Sequence, residues 1–403
     1  MSATVLPLDN PVRNYAWGST TAIADFLDRP SPAGLPEAEL WIGAHPSAPS
    51  RVANEAAKTG LDVMIGQDPV PMLGETVAAR YGQLPFLLKF LAAREPLSIQ
   101  CHPNSEQARA GFARENAAGI PVGDPTRNYR DPNHKPELLV ALTPTLALKG
   151  FRPLEEILAH FEVIRFDGLR EPIAALTRAR DGGALKSLFG SILALDQGSR
   201  SRLLGQALAQ GRTSDAWSWV ARLHEKYPGD VGVLAPLLLN LIELQPEEAV
   251  FLGAGELHAY LEGTGLEVMA NSDNVMRGGL TSKHVDAAEL LATATFEAGP
   301  PRTLKPEATS PRERLYRTPA AEFELGLIDV LPEHPYVSPA GRGVEILLGV
   351  RGGATLVAEG RALSLARGQS AFVPAAVPAY RLEGAGLVCR AGVPSPDLRA
   401  ERR

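Results

Sequence analysis

Cysteine is scarce in this sequence: two are present in 403 residues, Cys101 and Cys389. Two thiols so far apart make no disulfide framework, which points to a reducing, cytoplasmic setting. Cationic excess is missing too, since 46 acidic residues against 40 basic ones leave a net charge of −6. That balance disfavours a protein that binds nucleic acid by neutralising phosphates, but a few local cations suffice for a small phosphorylated ligand. No apolar run is long enough for a bilayer, which takes ~20 residues. The longest, Val231 to Leu244, is interrupted by Asn240 and Glu243. The first ten residues lack a basic stretch followed by an apolar one, so no secretory signal is expected. These absences point to no nucleic acid and no membrane as partner.

The apolar fraction of 45% suits globular folding, and the length predicts two or three domains. Residues 1–153 alternate short apolar segments with Gly and Pro. Leu84 to Leu91 reads as an interior strand carrying a single lysine, Lys89. Residues 105–118 read as a helix with Ser105 as N-cap. Between 154 and 245 the period changes. Leu185, Leu188, Phe189, Ile192 and Leu193 fall on one helical face, which predicts an all-α insertion of four or five helices bordering the site. Strand patterning returns over 246–300. Residues 301–319, rich in Pro, Arg and Glu, read as a linker, and 320–403 as a C-terminal jelly roll. The expected fold is mainly β with a helical insertion: two jelly-roll β domains plus an all-α domain. The first barrel is expected to join 1–153 to 246–300. The second has no histidine after His334 and so no metal set.

Three settings carry candidate chemistry. In Ser98-Ile99-Gln100-Cys101-His102-Pro103, residues two apart on a strand share a face, so Gln100 and His102 point together. In Asn133-His134-Lys135-Pro136-Glu137, a carboxylate stands at the mouth of an apolar strand. In Gly255-Glu256-Leu257-His258-Ala259-Tyr260, a glycine turn leads into a strand histidine. Each alone is more simply a bonded core or turn residue. Together they offer an amide oxygen, two imidazoles and a carboxylate, a set that suits zinc, with manganese, cobalt and iron chemically open.

These segments resemble, in order, the motifs of the class I (type I) mannose-6-phosphate isomerases. So do Asn14-Tyr15-Ala16-Trp17-Gly18-Ser19, Glu39-Leu40-Trp41-Ile42-Gly43-Ala44-His45-Pro46 and Asn271 to Thr281. The resemblance implies a cupin fold and one Zn²⁺ per chain, held by Gln100, His102, Glu137 and His258. It implies interconversion of D-mannose 6-phosphate and D-fructose 6-phosphate through a cis-enediol, with Arg277 as catalytic arginine, and a monomer or weak homo-oligomer. Glu267 matches an acidic position of the family's site and is the expected base, with Lys135 as the alternative, since a lysine beside a cation can lose its proton. Lys89 and Ser98 match positions associated with phosphate, and Trp17, Tyr260 and Asp273 are expected to shape the sugar pocket. Two departures stand out. Cys101 replaces the usual Ala and is expected to be buried and non-ligating, and Thr281-Ser282-Lys283 replaces Thr-Pro-Lys. A metal-dependent cupin acting on another sugar, or a sugar-sensing cupin without catalysis, are the competing readings.

Overall fold

A computed structural model describes residues 4–53 and 59–394. Among them the chain is mainly β, with two ten-stranded antiparallel sheets and a block of helices between strands of the first. None of its helices is long and apolar enough to cross a membrane.

The first sheet is organised around the thirteen-residue strand His258–Ala270. Its C-terminal half lies between Phe86–Ala93 and Glu137–Ala141. Its N-terminal half pairs with Thr145–Phe151 and, at His258, with Ile99–Cys101. Strand Glu39–Gly43 extends the sheet beyond Phe86–Ala93. Directly paired residues share a face, so register alone puts Glu39, Lys89, Glu267 and Glu137 on one side of this sheet. Their neighbours Leu40, Leu88, Phe90, Leu138, Val140, Leu266 and Val268 turn to the other side. There they join Leu325, Leu327, Ile346, Leu348 and Phe372 of the second sheet in one apolar core.

The helices from Leu154 to Leu238 do not form a self-contained body. Leu185, Leu188, Phe189 and Ile192 of helix Gly182–Leu193 are buried, as their spacing predicts, together with Phe161 and Trp217. The same cluster takes in Ile99, Cys101, Leu257, Ala259 and Leu261, which alternate with Gln100, His258 and Tyr260. The helical block thus packs behind the strands that carry candidate ligands. Its helices end at Leu238, and Leu239–Leu244 is already a strand beside Thr145–Phe151, because Leu241 and Ile242 gain sheet partners there.

Three expectations are corrected. The segment 301–319 is not a bare linker, since Glu313–Tyr316 is a strand of the second sheet; buried Leu315 and Tyr316 outweigh its Pro- and charge-rich composition. The N-terminal strand Leu6–Asp9 joins that second sheet too, pairing with Ser370–Val373, so the first 153 residues serve both sheets. The helix Ser105–Ala117 is capped by Asn104, not Ser105. The Asn104 side chain accepts from the backbone N–H groups of Glu106 and Gln107, and the Gln107 side chain accepts from Asn104 N–H. Of the expected C-terminal jelly roll over 320–403, residues 395–403 lie outside the described residues. Replacing this cap, Asn104→Ala, is expected to cost about 1 kcal/mol. A fall in the thermal unfolding midpoint of the variant checks this, and an unchanged midpoint would refute the capping box.

Candidate metal and active site

His102, Glu137 and His258 converge. Their ligand atoms lie within 4.8 Å of one another, and all three residues are buried. His102 follows the strand Ile99–Cys101, Glu137 opens Glu137–Ala141, and His258 opens the long strand. Each imidazole is fixed from behind. His102 Nδ1 donates to the Asn274 carbonyl at 2.8 Å, and His258 Nδ1 donates to the Glu256 carbonyl at 2.9 Å. A carbonyl only accepts, so both protons sit on Nδ1 and both Nε2 lone pairs are free. Those two Nε2 atoms face opposite oxygens of Glu137, each 3.4 Å away.

His102 Nε2 is buried and makes no hydrogen bond. An orphaned imidazole lone pair aimed at a carboxylate is what a cation-binding site looks like from the donors' side. Burial, with the Lys135 charge adding, pushes His102 down to about 4, which keeps the ring neutral near pH 7. Burial opposes ionisation of Glu137, yet the Lys135 ammonium at 2.8 Å holds its carboxyl well below the usual range. Gln100 is aligned with His258 and shares a narrow cavity of about 60 Å³ with Glu137, Lys135, Tyr260 and Glu267. Cys101 points away into the helical core, and burial pushes its thiol up to about 12.

Glu267 lies on the same cavity wall. It accepts from Lys89 Nζ at 2.9 Å and from the Tyr260 hydroxyl at 3.0 Å. Burial raises its carboxyl above the ordinary value, with Lys89 opposing and Glu137 and Glu39 reinforcing. Lys89 itself is buried between Glu267 and Glu39, at 2.9 and 3.3 Å, beneath the Trp41 ring. Its charge is therefore already answered by two carboxylates, where the sequence led one to expect phosphate. Trp17 packs on the cluster containing Tyr260 and stacks with Tyr15. Ser98 is half-buried just before the strand Ile99–Cys101, not on it. Asp273 is exposed; its Oδ1 lies 3.7 Å from His45 Nε2 and its Oδ2 accepts from Ser47 Oγ.

Arg277 is aligned with Gln100 across the neighbouring strand. It forms no ion pair with Asp273 or any other acid among the described residues. Its neighbours are cations: burial and the Arg130 charge lower it, and burial, Arg277 and Arg130 lower Lys283. Three cations without an acidic partner beside a ligand-lined cavity are a ready anion site. Sequence reasoning missed Arg130 and Lys283, and also Glu39 and His45. Glu39, His45 and Lys283 do fall in or beside segments already singled out, but nothing local says that Glu39 lines the cavity, that His45 meets Asp273 or that Lys283 stands near Arg277.

Comparison with known proteins agrees with this geometry. A model of the catalytic domain of type I phosphomannose isomerase matches residues 5–154. The mannose-6-phosphate isomerase of Escherichia coli K12 is 42% identical, covering 95% of this chain and 98% of that one. Mannose-6-phosphate isomerase 1 of Arabidopsis thaliana is 32% identical over 96% and 93%. A solved mannose 6-phosphate isomerase with zinc bound superposes with a TM-score of 0.91 at 40% identity, covering 98% of this chain and all of its own. The Salmonella typhimurium enzyme bound to fructose 6-phosphate and zinc matches equally well, with a TM-score of 0.91 and 40% identity.

The substitution Glu137→Gln removes the anion between the two imidazoles. It is expected to lower bound zinc to well under one per chain while the far-ultraviolet circular dichroism is kept. Metal analysis after gel filtration checks this, and a full equivalent of zinc on the variant would contradict the assignment.

Proposed function

The chain belongs to the type I phosphomannose isomerases, and on that premise we propose that it interconverts D-mannose 6-phosphate and D-fructose 6-phosphate by proton transfer between C1 and C2 through a cis-enediol. The observation that carries the reading is the pairing of two functions in one place: a buried His–Glu–His cluster with an unpartnered His102 Nε2, and beside it a buried carboxylate of raised pKa. Gln100, His102, Glu137 and His258 fit one zinc ion. The bound ion supplies Lewis acidity toward vicinal sugar oxygens.

The protein's own groups do the remaining work. Glu267 takes the proton from one carbon and returns it to the next. Its raised pKa suits a base working near neutral pH, and Lys89 and Tyr260 fix its orientation. Lys135, paired with Glu137 on the same cavity, carries a positive charge and acts as a hydrogen-bond donor to a substrate oxygen, so the base role goes to Glu267. Arg277 adds a forked donor toward the enediolate, and Arg130 and Lys283 meet the phosphate. Asp273 with His45 forms part of the rim that meets sugar hydroxyls. The helical block with the strands before it and after it forms a catalytic half, and the second sheet forms a cupin-like half that backs it.

Exchange of the C2 proton with solvent tests the base directly. Glu267→Gln is expected to slow it, and kcat with it, about 100- to 10,000-fold while zinc content is unchanged. In the parent enzyme the acidic limb of kcat/KM should lie above the ordinary carboxylate pKa of ~4.3, because activity is lost as pH falls through a raised pKa. Near-normal exchange in the glutamine variant would sink the assignment. For the phosphate, Lys283→Ala is expected to raise KM for mannose 6-phosphate by about tenfold or more with a smaller effect on kcat, as steady-state kinetics would show. An unchanged KM would remove Lys283 from the site.

A further inference from the structure

The turn Gly253-Ala254-Gly255-Glu256 leads into His258 and bonds to both imidazole residues. The Glu256 carbonyl accepts from His258 Nδ1 at 2.9 Å, and Gly255 N–H donates to the His102 carbonyl at 2.8 Å. The turn is closed twice between its end residues. Glu256 N–H donates to the Gly253 carbonyl at 3.3 Å, and Gly253 N–H donates to Glu256 Oε2 at 3.4 Å. Gly255 has a φ of +78°, and a Cβ there would lie 2.6 Å from Thr295 Cγ2, so only glycine fits.

An ion pair holds this turn from the neighbouring strand. Lys149 Nζ donates to Glu256 Oε1. Lys149 stands opposite His258 in the strand register, and its backbone is itself tied down. Asn240 Nδ2 donates to the Lys149 carbonyl at 3.1 Å, and Gly150 N–H donates to the Leu257 carbonyl at 2.8 Å. Lys149 is buried, whereas the Glu256 side chain is 26% exposed. A buried ammonium needs an anion beside it, so Lys149 holds the Glu256 carboxylate against the pull of water. Both side chains line a separate cavity of about 780 Å³, and the isomerase chemistry gives neither of them a task.

We propose that Lys149 and Glu256 are positioning residues for the metal centre: their ion pair fixes the turn whose carbonyl orients His258, and so sets how tightly zinc is held. This role rests on the reading of His258 as a zinc ligand. A ligating imidazole is oriented by the acceptor at its other nitrogen. Here that acceptor belongs to the backbone of Glu256, so it is only as fixed as the turn. A plain field effect is the rival, in which the Glu256 charge attracts the metal ion and the Lys149 charge repels it. The two differ in sign at Lys149. Under a field effect, removing the ammonium relieves repulsion and tightens zinc. Under positioning, removing it releases Glu256 to water, loosens the turn and weakens zinc.

Zinc affinity of the full-length enzyme is measured by equilibrium competition with a chromogenic chelator. Lys149→Met and Glu256→Gln are each expected to weaken zinc about tenfold or more, and the double variant no further, because the pair acts as one unit. Lys149→Arg, which keeps the charge, should recover most of the loss. With cobalt in place of zinc, the visible bands of Lys149→Met should shift, a signature that a pair serving only stability would leave alone. Unchanged or tighter zinc binding in Lys149→Met would overturn the positioning role, as would unshifted cobalt bands. Unchanged affinity in Glu256→Gln overturns it equally, whether or not Lys149→Met folds. His258→Ala is expected to lose zinc, and zinc retained there would instead remove His258 from the ligand set and the positioning role with it.

Discussion

The site rests on one sheet face that carries charge where water is absent. Glu39, Lys89, Glu137 and Glu267 are each under a tenth exposed and stand on the same side of four adjacent strands. Removing an ion from water costs several kcal/mol even after the protein relaxes, so each of these groups needs a partner in place. Lys89 serves two carboxylates, Lys135 serves one, and the two imidazoles leave their lone pairs facing Glu137. The opposite face of the same strands is wholly apolar and sealed by the second sheet. That seal supplies the stability that the charged face does not, and it keeps the strands from sliding. A one-residue slip would bury Lys89 among leucines and turn Leu88 into the cavity.

Much of the candidate metal set is legible in the sequence, and the reason is local. Gln100 and His102 differ by two residues, and Glu137 and His258 each open a strand after a turn that the sequence announces with Pro or Gly. Short-range rules reach that far. They do not reach the pairing of Lys89 with Glu267, which are 178 residues apart. Lys89 stands out as a single charge in an apolar run, yet its partner depends on register between strands that no local pattern reveals. Phosphate is the natural expectation for an isolated lysine, and the structure gives it two carboxylate partners. Arg130 and Lys283 were missed for the mirror reason: each looks like an ordinary loop cation until the chain folds and no acid arrives.

Domain boundaries failed more instructively. The composition of 301–319 speaks for a linker, and Leu6 to Asp9 speaks for the start of the first barrel. Both segments are strands of the second sheet, held by a few buried residues such as Leu8, Leu315 and Tyr316. Composition averages over a window, whereas a four-residue strand needs only two inward side chains and a free edge. The helical block shows the opposite case. Its period was plain, but its inner surface is completed by Ile99, Leu257 and Ala259 from strands 90 or more residues away from some of its helices. Helices and ligand strands are thus one cooperative core.

The long strand explains why these parts make one site. His258 stands at its first residue and Glu267 at its tenth, so a candidate metal ligand and the proposed base belong to a single element. Residues nine apart on a flat strand would lie on opposite faces and roughly 30 Å apart. Here the register slips between Tyr260 and Glu262, and Gly263 takes a φ of +127°, a region closed to ordinary side chains. The strand bends there, changes partners, and brings both faces onto one cavity. The close approach of Thr145 requires the glycine as well, since a Cβ at 263 would lie 2.4 Å from its Oγ1. The distance between ligand and base is therefore set at a residue that touches neither.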